Sequence, residues 1–300
     1  MLVPMPVDIS PQSPIDANAA PFIVTLSCPD RIGIVAEVSR FLVEHDCNIV
    51  ESAQYGDPAN GRFFLRTGFQ STRGRTLAEI EAGFAPIATA FAMDARFYDT
   101  RRKTPTLLLV SKFGHCLNDL LFRWKSGALP IEIKAVASNH KDFRGLVEGA
   151  GLPFHHLPIT PETKPQQEAA IEALASSLGV ELIVLARYMQ ILSTAFCARH
   201  PGRIINIHHS FLPSFVGARP YHAAHKRGVK LIGATAHYVT EDLDEGPIIE
   251  QAVDRVTHSL SVDDYIAVGR DLEALVLARA VKWHGEHRVL LNGSRTVIFH

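Results

Sequence analysis

The sequence predicts a small α+β domain followed by a doubly wound α/β domain with a largely parallel sheet. Three observations support this. Strand and helix patterns over the first part of the chain follow the order β-α-β-β-α-β, a split βαβ arrangement. A charged, proline-containing stretch, Arg101-Arg102-Lys103-Thr104-Pro105, then breaks the pattern. Beyond it, nearly continuous apolar strands alternate with helices, as expected of strands buried on both faces of a parallel sheet. The expected organisation is a flexible leader over 1–20, a ferredoxin-like α+β domain over 21–100, a linker over 101–105 and the α/β domain over 106–300.

Composition narrows the function classes. At 300 residues one or two domains are expected. The formal net charge of −1, without a basic block, argues against a nucleic-acid surface or an anionic-membrane partner. Cys28, Cys47, Cys116 and Cys197 lie far apart with no CxxC pair, so buried thiols of a reducing cytoplasm are expected, and neither disulfides nor a zinc cluster. Residues 1–20 hold four prolines and lack the basic and apolar regions of a signal peptide. No apolar run approaches the roughly 20 residues of a membrane span. A soluble cytoplasmic protein is expected.

In the first domain, Phe22–Ser27 reads as a strand and Pro29-Asp30 as a turn. Ile32, Val35, Val38 and Leu42 recur at helical spacing through Glu44, with Asp30 where an N-cap belongs. Strands follow at Asn48–Ala53 and Arg62–Gln70, separated by "DPANG", a hairpin turn signal. A second helix is expected over Thr76–Phe91 and a last strand at Ala95–Tyr98. The stretch "CPDRIGIVAEVSRFLVEHDCNI" resembles the ACT domain family. The resemblance implies an amino-acid effector site around Asp30, Arg31 and Gly33 and pairing of subunits into a homo-oligomer. The alternative is that Gly33 only permits a tight strand-to-helix turn and that the unit serves dimerisation alone.

In the second domain, "TLLLVSK", "IKAVASN", "LIVLAR", "RIINI" and "LIGATAHYV" read as strands. Helices are expected over Cys116–Ser126, Phe143–Ala150, Lys164–Leu178 and Tyr221–Arg227. Right-handed crossovers make such an array doubly wound, with ligands beyond the carboxyl ends of the strands. "NIHHS" and the end of "LIGATAHYVTEDLDEGP" are both expected at such ends. Alternation along a strand puts Asn206 and His208 on one face and Ile205 and Ile207 on the other. The loop Thr240–Pro247 holds four acids that could supply a carboxylate. An imidazole oriented by a carboxylate, beside an amide able to donate to an oxyanion, suits acyl transfer. No GxSxG elbow and no HExxH spacing is present, so neither a serine nucleophile nor a metal-activated water is indicated. From the residues alone two readings stay open, because a histidine at a strand end is often structural and an acidic loop is often plain surface.

"INIHHSFLPSFVGARPYHAAHKRGVKLIGATAHYVTEDLDEGPIIEQ" resembles the folate-dependent formyltransferase family, which includes glycinamide ribonucleotide transformylase. The shared pattern is Asn-x-His-x-Ser-x-Leu-Pro, a strand histidine and an Asp in the following loop, within a likeness running from Thr106 to Glu286. Carried over, it implies Asn206 and His208 as catalytic amide and imidazole and Asp244 as the carboxylate. Folate binding is implied for Arg187, Met189, Gln190 and Leu192 of "LARYMQILS", with His237, Glu241 and Asp242. Gln190 stands where transformylases often carry Arg; the pterin contacts there are largely main-chain. The implied small-molecule partner is 10-formyltetrahydrofolate, acting as substrate, with no separate cofactor and no metal.

The resemblance leaves the formyl acceptor open. Transformylases hold the acceptor's phosphate with a glycine- and serine-rich loop after the first strand. Here that place reads "SKFGHC", with Gly114 alone, which is a poor cradle, although Lys112 offers a cation. With no amine held, water is the acceptor, and the products are formate and tetrahydrofolate, feeding formate to purine synthesis and balancing one-carbon folate pools. The alternatives are formyl transfer to an amine and a non-catalytic amino-acid sensor. The intact set Asn206, His208 and Asp244 argues against the sensor.

Overall fold

A computed structural model describes residues 21–212 and 220–300. The expected leader, 1–20, and residues 213–219 of the formyltransferase-like segment lie outside the described residues. Two compact units divide after Arg102.

The first unit contains β1 (Pro21–Pro29), α1 (Ile34–Glu44), β2 (Cys47–Asp57), β3 (Arg62–Ser71), α2 (Leu77–Ala90) and β4 (Asp94–Asp99). The strands form an antiparallel sheet in the order β2-β3-β1-β4, the split βαβ topology. Val24, Leu26 and Cys28 alternate onto one face and pack against Ile34, Val38 and Leu42 of α1 and Ile80 and Phe84 of α2. The turn between β2 and β3 closes because Asp57 accepts from Ala59 N at 3.0 Å and from Gly61 N at 2.9 Å. Thr76 and Glu79 form a reciprocal capping box on α2. The N-cap of α1 corrects the sequence expectation. It is Gly33, at φ 99, and not Asp30. The Asp30 N–H donates to Gly61 O at 2.8 Å, continuing the pairing of β1 with β3. The chain then needs a left-handed residue to turn into the helix, and glycine takes that conformation without a Cβ penalty.

The second unit contains β5 (Thr104–Val110), α3 (His115–Lys125), β6 (Ile131–Ser138), α4 (Arg144–Gly149), β7 (Phe154–His156), α5 (Lys164–Ser177), β8 (Leu182–Leu185), α6 (Thr194–Arg199) and β9 (Ile204–His208). These are followed by α7 (Pro220–Arg227), β10 (Leu231–Tyr238), β11 (Ile248–Arg255), α8 (Val262–Gly285), β12 (Val289–Asn292) and β13 (Arg295–Ile298). β5 starts inside the expected linker, since Thr104 and Pro105 already pair with Ile131 and Glu132. The seven-stranded sheet has the order β11-β10-β9-β8-β5-β6-β7, and a separate hairpin joins β12 to β13. β7, β6, β5, β8 and β9 are parallel. The chain winds outward from β5 to β7, returns, and continues from β8 to β9, so the strand order reverses between β5 and β8. The crevice at that reversal is where such sheets hold ligands.

Alternation sorts the core into two layers. Leu108, Val184, Ile205 and Ile207 pack with Val276, Leu277 and Val281 of α8 on one face. Leu107, Leu109, Ile183 and Ile204 pack with Ile171 of α5 and Phe196 of α6 on the other. All four cysteines are buried free thiols. Among the described residues no helix is long and apolar enough to cross a membrane.

β10 departs from the expected pattern. It runs antiparallel to β9, with His237 opposite Asn206 and Tyr238 opposite Ile205. Its carboxyl end therefore lies beside the start of β9, not at the carboxyl edge of the parallel strands. The acidic loop reaches His208 by folding back: Tyr238 N donates to Pro247 O at 2.9 Å, and β11 departs from there. Gly246 closes this base. A Cβ on it would lie 1.7 Å from the Tyr238 carbonyl oxygen and 3.3 Å from Thr240 Cγ2. Gly246→Ala is accordingly expected to force the loop base apart and destabilise the protein by about 1–3 kcal/mol, the cost of overpacking. Thermal melting should show a midpoint lower by several degrees; an unchanged midpoint would mean that the base is not closely packed.

Candidate active site

The site is built on the polar face of β9. Asn206 is half-buried and His208 buried, on the face opposite Ile205 and Ile207, as alternation requires. Asn206 Nδ2 lies 3.3 Å from His237 Nε2 on the neighbouring strand. His237 Nδ1 lies 2.9 Å from the Tyr238 carbonyl, which can only accept, so Nδ1 carries the proton. In the neutral ring Nε2 is then an acceptor for the Asn206 amide. This fixes which way that amide faces and leaves its second N–H for another acceptor.

Asp244 completes the set from the folded-back loop. Its φ of 58 places it in the left-handed region, which aspartate tolerates better than most side chains. Oδ2 lies 3.1 Å from His208 Nδ1, and Oδ1 lies 3.6 Å from His237 Nε2. The first distance is a hydrogen bond; the second is an electrostatic neighbour. The His208 hydrogen bond holds the Asp244 carboxyl well below the usual carboxylate range. Burial opposes this and is outweighed. His208 Nε2 is buried without a partner among the described residues, a condition typical of groups with a chemical task.

These residues border a pocket of about 380 Å³. The segment after β8 forms one wall, with Arg187, Met189, Gln190 and Leu192 all lining it. Glu241, Asp242 and Asp244 line the other side, and Asn206, His208 and His237 are also in its wall. Every residue the sequence pointed to for catalysis or folate binding thus falls on one cavity. Met189, Ile191 and Leu243 are more than half or about half exposed and give the pocket an apolar rim. Ser111, at the end of β5, accepts from Met189 N at 3.0 Å and donates to Asn139 at 2.8 Å, tying the segment to the strand-order reversal.

The Arg187 guanidinium is engaged elsewhere. Arg187 is left-handed at φ 63, and its Nε lies 3.1 Å from Glu273 on α8. Glu273 is 1 % exposed and also meets His115 Nε2 at 2.8 Å and the Tyr221 hydroxyl at 2.5 Å. Burial alone would raise its pKa, but the His115 hydrogen bond, the Arg187 charge and Tyr221 outweigh it and hold the carboxyl below its ordinary value. His209 packs edge-on between His208 and Tyr221, and burial together with the Arg187 charge pushes its pKa down to about 4. His115, Cys116 and Glu273 offer ligand atoms within 4.8 Å of one another. The donor set does not suit a metal, because burial and the Glu273 charge keep the Cys116 thiol protonated and the Glu273 oxygens already have three partners. The sequence reading did not find Glu273 or His209. The Ser261–Asp264 capping box marks the start of α8 but does not single out Glu273 within it.

In the first unit, Asp30, Arg31 and Gly33 form the turn before α1. The Arg31 guanidinium donates to the Ala90 carbonyl and stacks 3.8 Å from the Phe91 ring centre, so it is held at the end of α2. Asp30 faces Gly56, where a Cβ would come 3.0 Å from Asp30 Oδ2.

Comparison with known proteins agrees with this architecture. Residues 105–281 match the formyl transferase family and residues 22–82 match the ACT domain family. A formyltetrahydrofolate deformylase of Corynebacterium sp. (strain P-1) is 53 % identical over 92 % of this chain and 97 % of its own. One from Bacillus subtilis (strain 168) is 48 % identical over 95 % of each chain. The crystal structure of formyltetrahydrofolate deformylase from Burkholderia mallei ATCC 23344 superposes with a TM-score of 0.91 at 52 % identity, covering 94 % of this chain and 100 % of that one. An ACT unit joined to a formyl transferase unit, matched over nearly the whole length of such relatives, places this chain in the formyltetrahydrofolate deformylase family.

Proposed function

We propose that the protein hydrolyses 10-formyltetrahydrofolate to formate and tetrahydrofolate. The observation that carries this is the Asp244 carboxylate hydrogen-bonded to His208, beside Asn206 and His237, in the wall of the pocket formed by residues 187–192. Hydrolysis needs a water held against the formyl carbon, a donor for the oxygen that gains charge, and a proton for N10 as it leaves. In the proposed mechanism Asp244 accepts from the attacking water and stabilises charge on His208. The free N–H of Asn206, whose amide is oriented by His237, donates to the developing oxyanion. His208 carries one proton of the water to N10 as the C–O bond forms and the C–N10 bond breaks, and the second water proton is released when the formic acid so formed ionises to formate. Because its neighbours favour the ionised form, Asp244 serves better as an ever-present acceptor and counter-charge than as a strong base.

Water, rather than an amine, is supported by the turn after β5. His115 is tied to Glu273, Cys116 is fully buried and Phe113 lies 5.6 Å from the Arg187 guanidinium. Gly114 packs so closely that a Cβ would meet the Phe143 ring at 2.3 Å. These side chains turn to partners within the protein and leave little to receive a second substrate's anion. The proposed reaction takes place in the reducing cytoplasm, where formate and free tetrahydrofolate feed one-carbon metabolism.

We also propose that the ACT unit pairs with its copy in another subunit and receives a small amino acid near Asp30 and Gly33. Support for pairing comes from β2, an edge strand with Ile49, Val50 and Tyr55 exposed. Support for a ligand comes from the start of α1, whose first N–H groups suit a carboxylate, with the Asp30 side chain available to an ammonium group.

Purified protein given 10-formyltetrahydrofolate and no amine should release formate stoichiometrically with tetrahydrofolate. Asp244→Asn should keep folate binding and lose activity by roughly a hundredfold or more, the scale of losing one preorganised polar group. His208→Ala should fall nearly as far and the double variant little further, since members of one catalytic unit are not additive. Formate release that depends on an added amine would replace the hydrolase reading with a transferase, and near-normal turnover of Asp244→Asn would remove that residue from the mechanism.

For the ACT unit, a panel of amino acids led by glycine and methionine should include one that shifts both the rate and the melting temperature. Couplings of about 1–3 kcal/mol, several-fold to hundredfold in affinity, are typical. A panel that moves neither signal would reduce the unit to an assembly device.

A further inference from the structure

We propose that Glu168 on α5, with Gln167 beside it, is a positioning residue for the pocket wall formed by residues 187–192; this rests on the reading of that wall as the folate site. The wall has no helix or strand of its own between the end of β8 and the start of α6. A ligand site on irregular chain needs its shape imposed from outside, and the anchors are identifiable. The face of α5 that turns to the sheet consists of Gln167, Glu168, Ile171 and Ala175. Helical spacing calls for apolar residues at such a stripe. Two of its four positions are instead an amide and a carboxylate, exposed by only 6 % and 7 %. Burying such groups is costly unless hydrogen bonds replace the lost water.

Those hydrogen bonds go to the two ends of the pocket wall. Gln167 Oε1 accepts from the Tyr188 hydroxyl at 2.9 Å, while its Nε2 donates to the Leu157 carbonyl at 2.5 Å. Glu168 Oε1 accepts from Ser193 N at 2.8 Å, and Glu168 Oε2 accepts from the Ser193 hydroxyl. Ser193 in turn caps α6, its Oγ accepting from Phe196 N at 3.2 Å. Adjacent residues of one rigid helix thus clamp both Tyr188 and Ser193. Met189–Leu192, the residues between, are held as a short span of fixed ends, secured additionally by Met189 N on Ser111. Glu168 reaches neither His208 nor Asp244 by any hydrogen bond or ion pair among the described residues. Its loss should therefore loosen substrate binding and spare the chemical step.

The test uses the full chain and three measurements: KM and kcat for 10-formyltetrahydrofolate, and the Kd for tetrahydrofolate by titration calorimetry. Glu168→Ala should raise KM and Kd about tenfold, the equivalent of roughly one charge-assisted hydrogen bond, with kcat within about twofold of wild type. Glu168→Gln should recover most of the affinity, because its carbonyl can accept from Ser193 N and its amide can donate to the Ser193 hydroxyl. Should Glu168→Ala not fold, Tyr188→Phe removes a single hydroxyl at the other clamp and should raise KM several-fold. Unchanged KM and Kd in a folded Glu168→Ala or, failing that, in Tyr188→Phe overturns the proposal. So does a fall in kcat at constant KM. Ile191→Asp, on the exposed rim, separates the two readings. If it abolishes tetrahydrofolate binding while Glu168→Ala has no effect, only the clamp is wrong. If neither variant alters binding, residues 187–192 are not the folate site.

Discussion

A carboxylate that is to act beside two imidazoles must be ionised, partly shielded from water and held still. Different parts of the fold meet each condition for Asp244. Strand β9 supplies His208, whose N–H at 3.1 Å keeps the carboxyl ionised. Strand β10 supplies His237, in register with Asn206 across the antiparallel pair. The loop between β10 and β11 supplies the carboxylate itself, and its return is possible only because Gly246 lets the chain pass against the Tyr238 carbonyl. Because β10 runs antiparallel to β9, the acidic loop starts beside the amino end of β9 and must fold back across the face bearing Asn206 and His208 to bring Asp244 to His208.

Buried carboxylates recur around the pocket, and each fastens irregular chain to a helix. Glu273 on α8 gathers Arg187, His115 and Tyr221; Glu168 on α5 gathers Ser193. Removing a buried carboxylate from water is expensive, and replacing such groups with apolar residues often stabilises a protein. Their presence here is understandable because both ends of residues 187–192 must be fixed while the backbone between them stays open to the pocket. Glu273 also pairs with the Arg187 guanidinium, while apolar Met189 and Ile191 stand on the rim of the cavity.

Much of this could be read in the sequence, for physical reasons that differ between regions. Strands such as Leu107–Val110 and Ile204–Ile207 announce themselves because both faces are buried and nearly every residue is apolar. Asn206 and His208 stood out because polar residues two apart must share a face. The direction of β10 did not, since an apolar strand reads the same whether it pairs parallel or antiparallel. Asp30 looked like a helix cap by residue type, but the backbone pairing to Gly61 outweighed local preference and moved the cap to Gly33. Glu168 and Glu273 were illegible because their partners are remote in sequence: Glu273 meets His115 across 158 positions. A charged residue on a helix is ordinarily solvated, and nothing local distinguishes one that is buried.

The central claim is that this pocket delivers water to a formyl group. Single turnover of 10-formyltetrahydrofolate in ¹⁸O-enriched water, without any amine, tests it most directly. The account predicts formate carrying one solvent oxygen, formed at the same rate when amines are added, and loss of that labelled product in Asp244→Asn. Formate that appears only with an amine, or labelled formate formed equally fast without the Asp244 carboxylate, would contradict it.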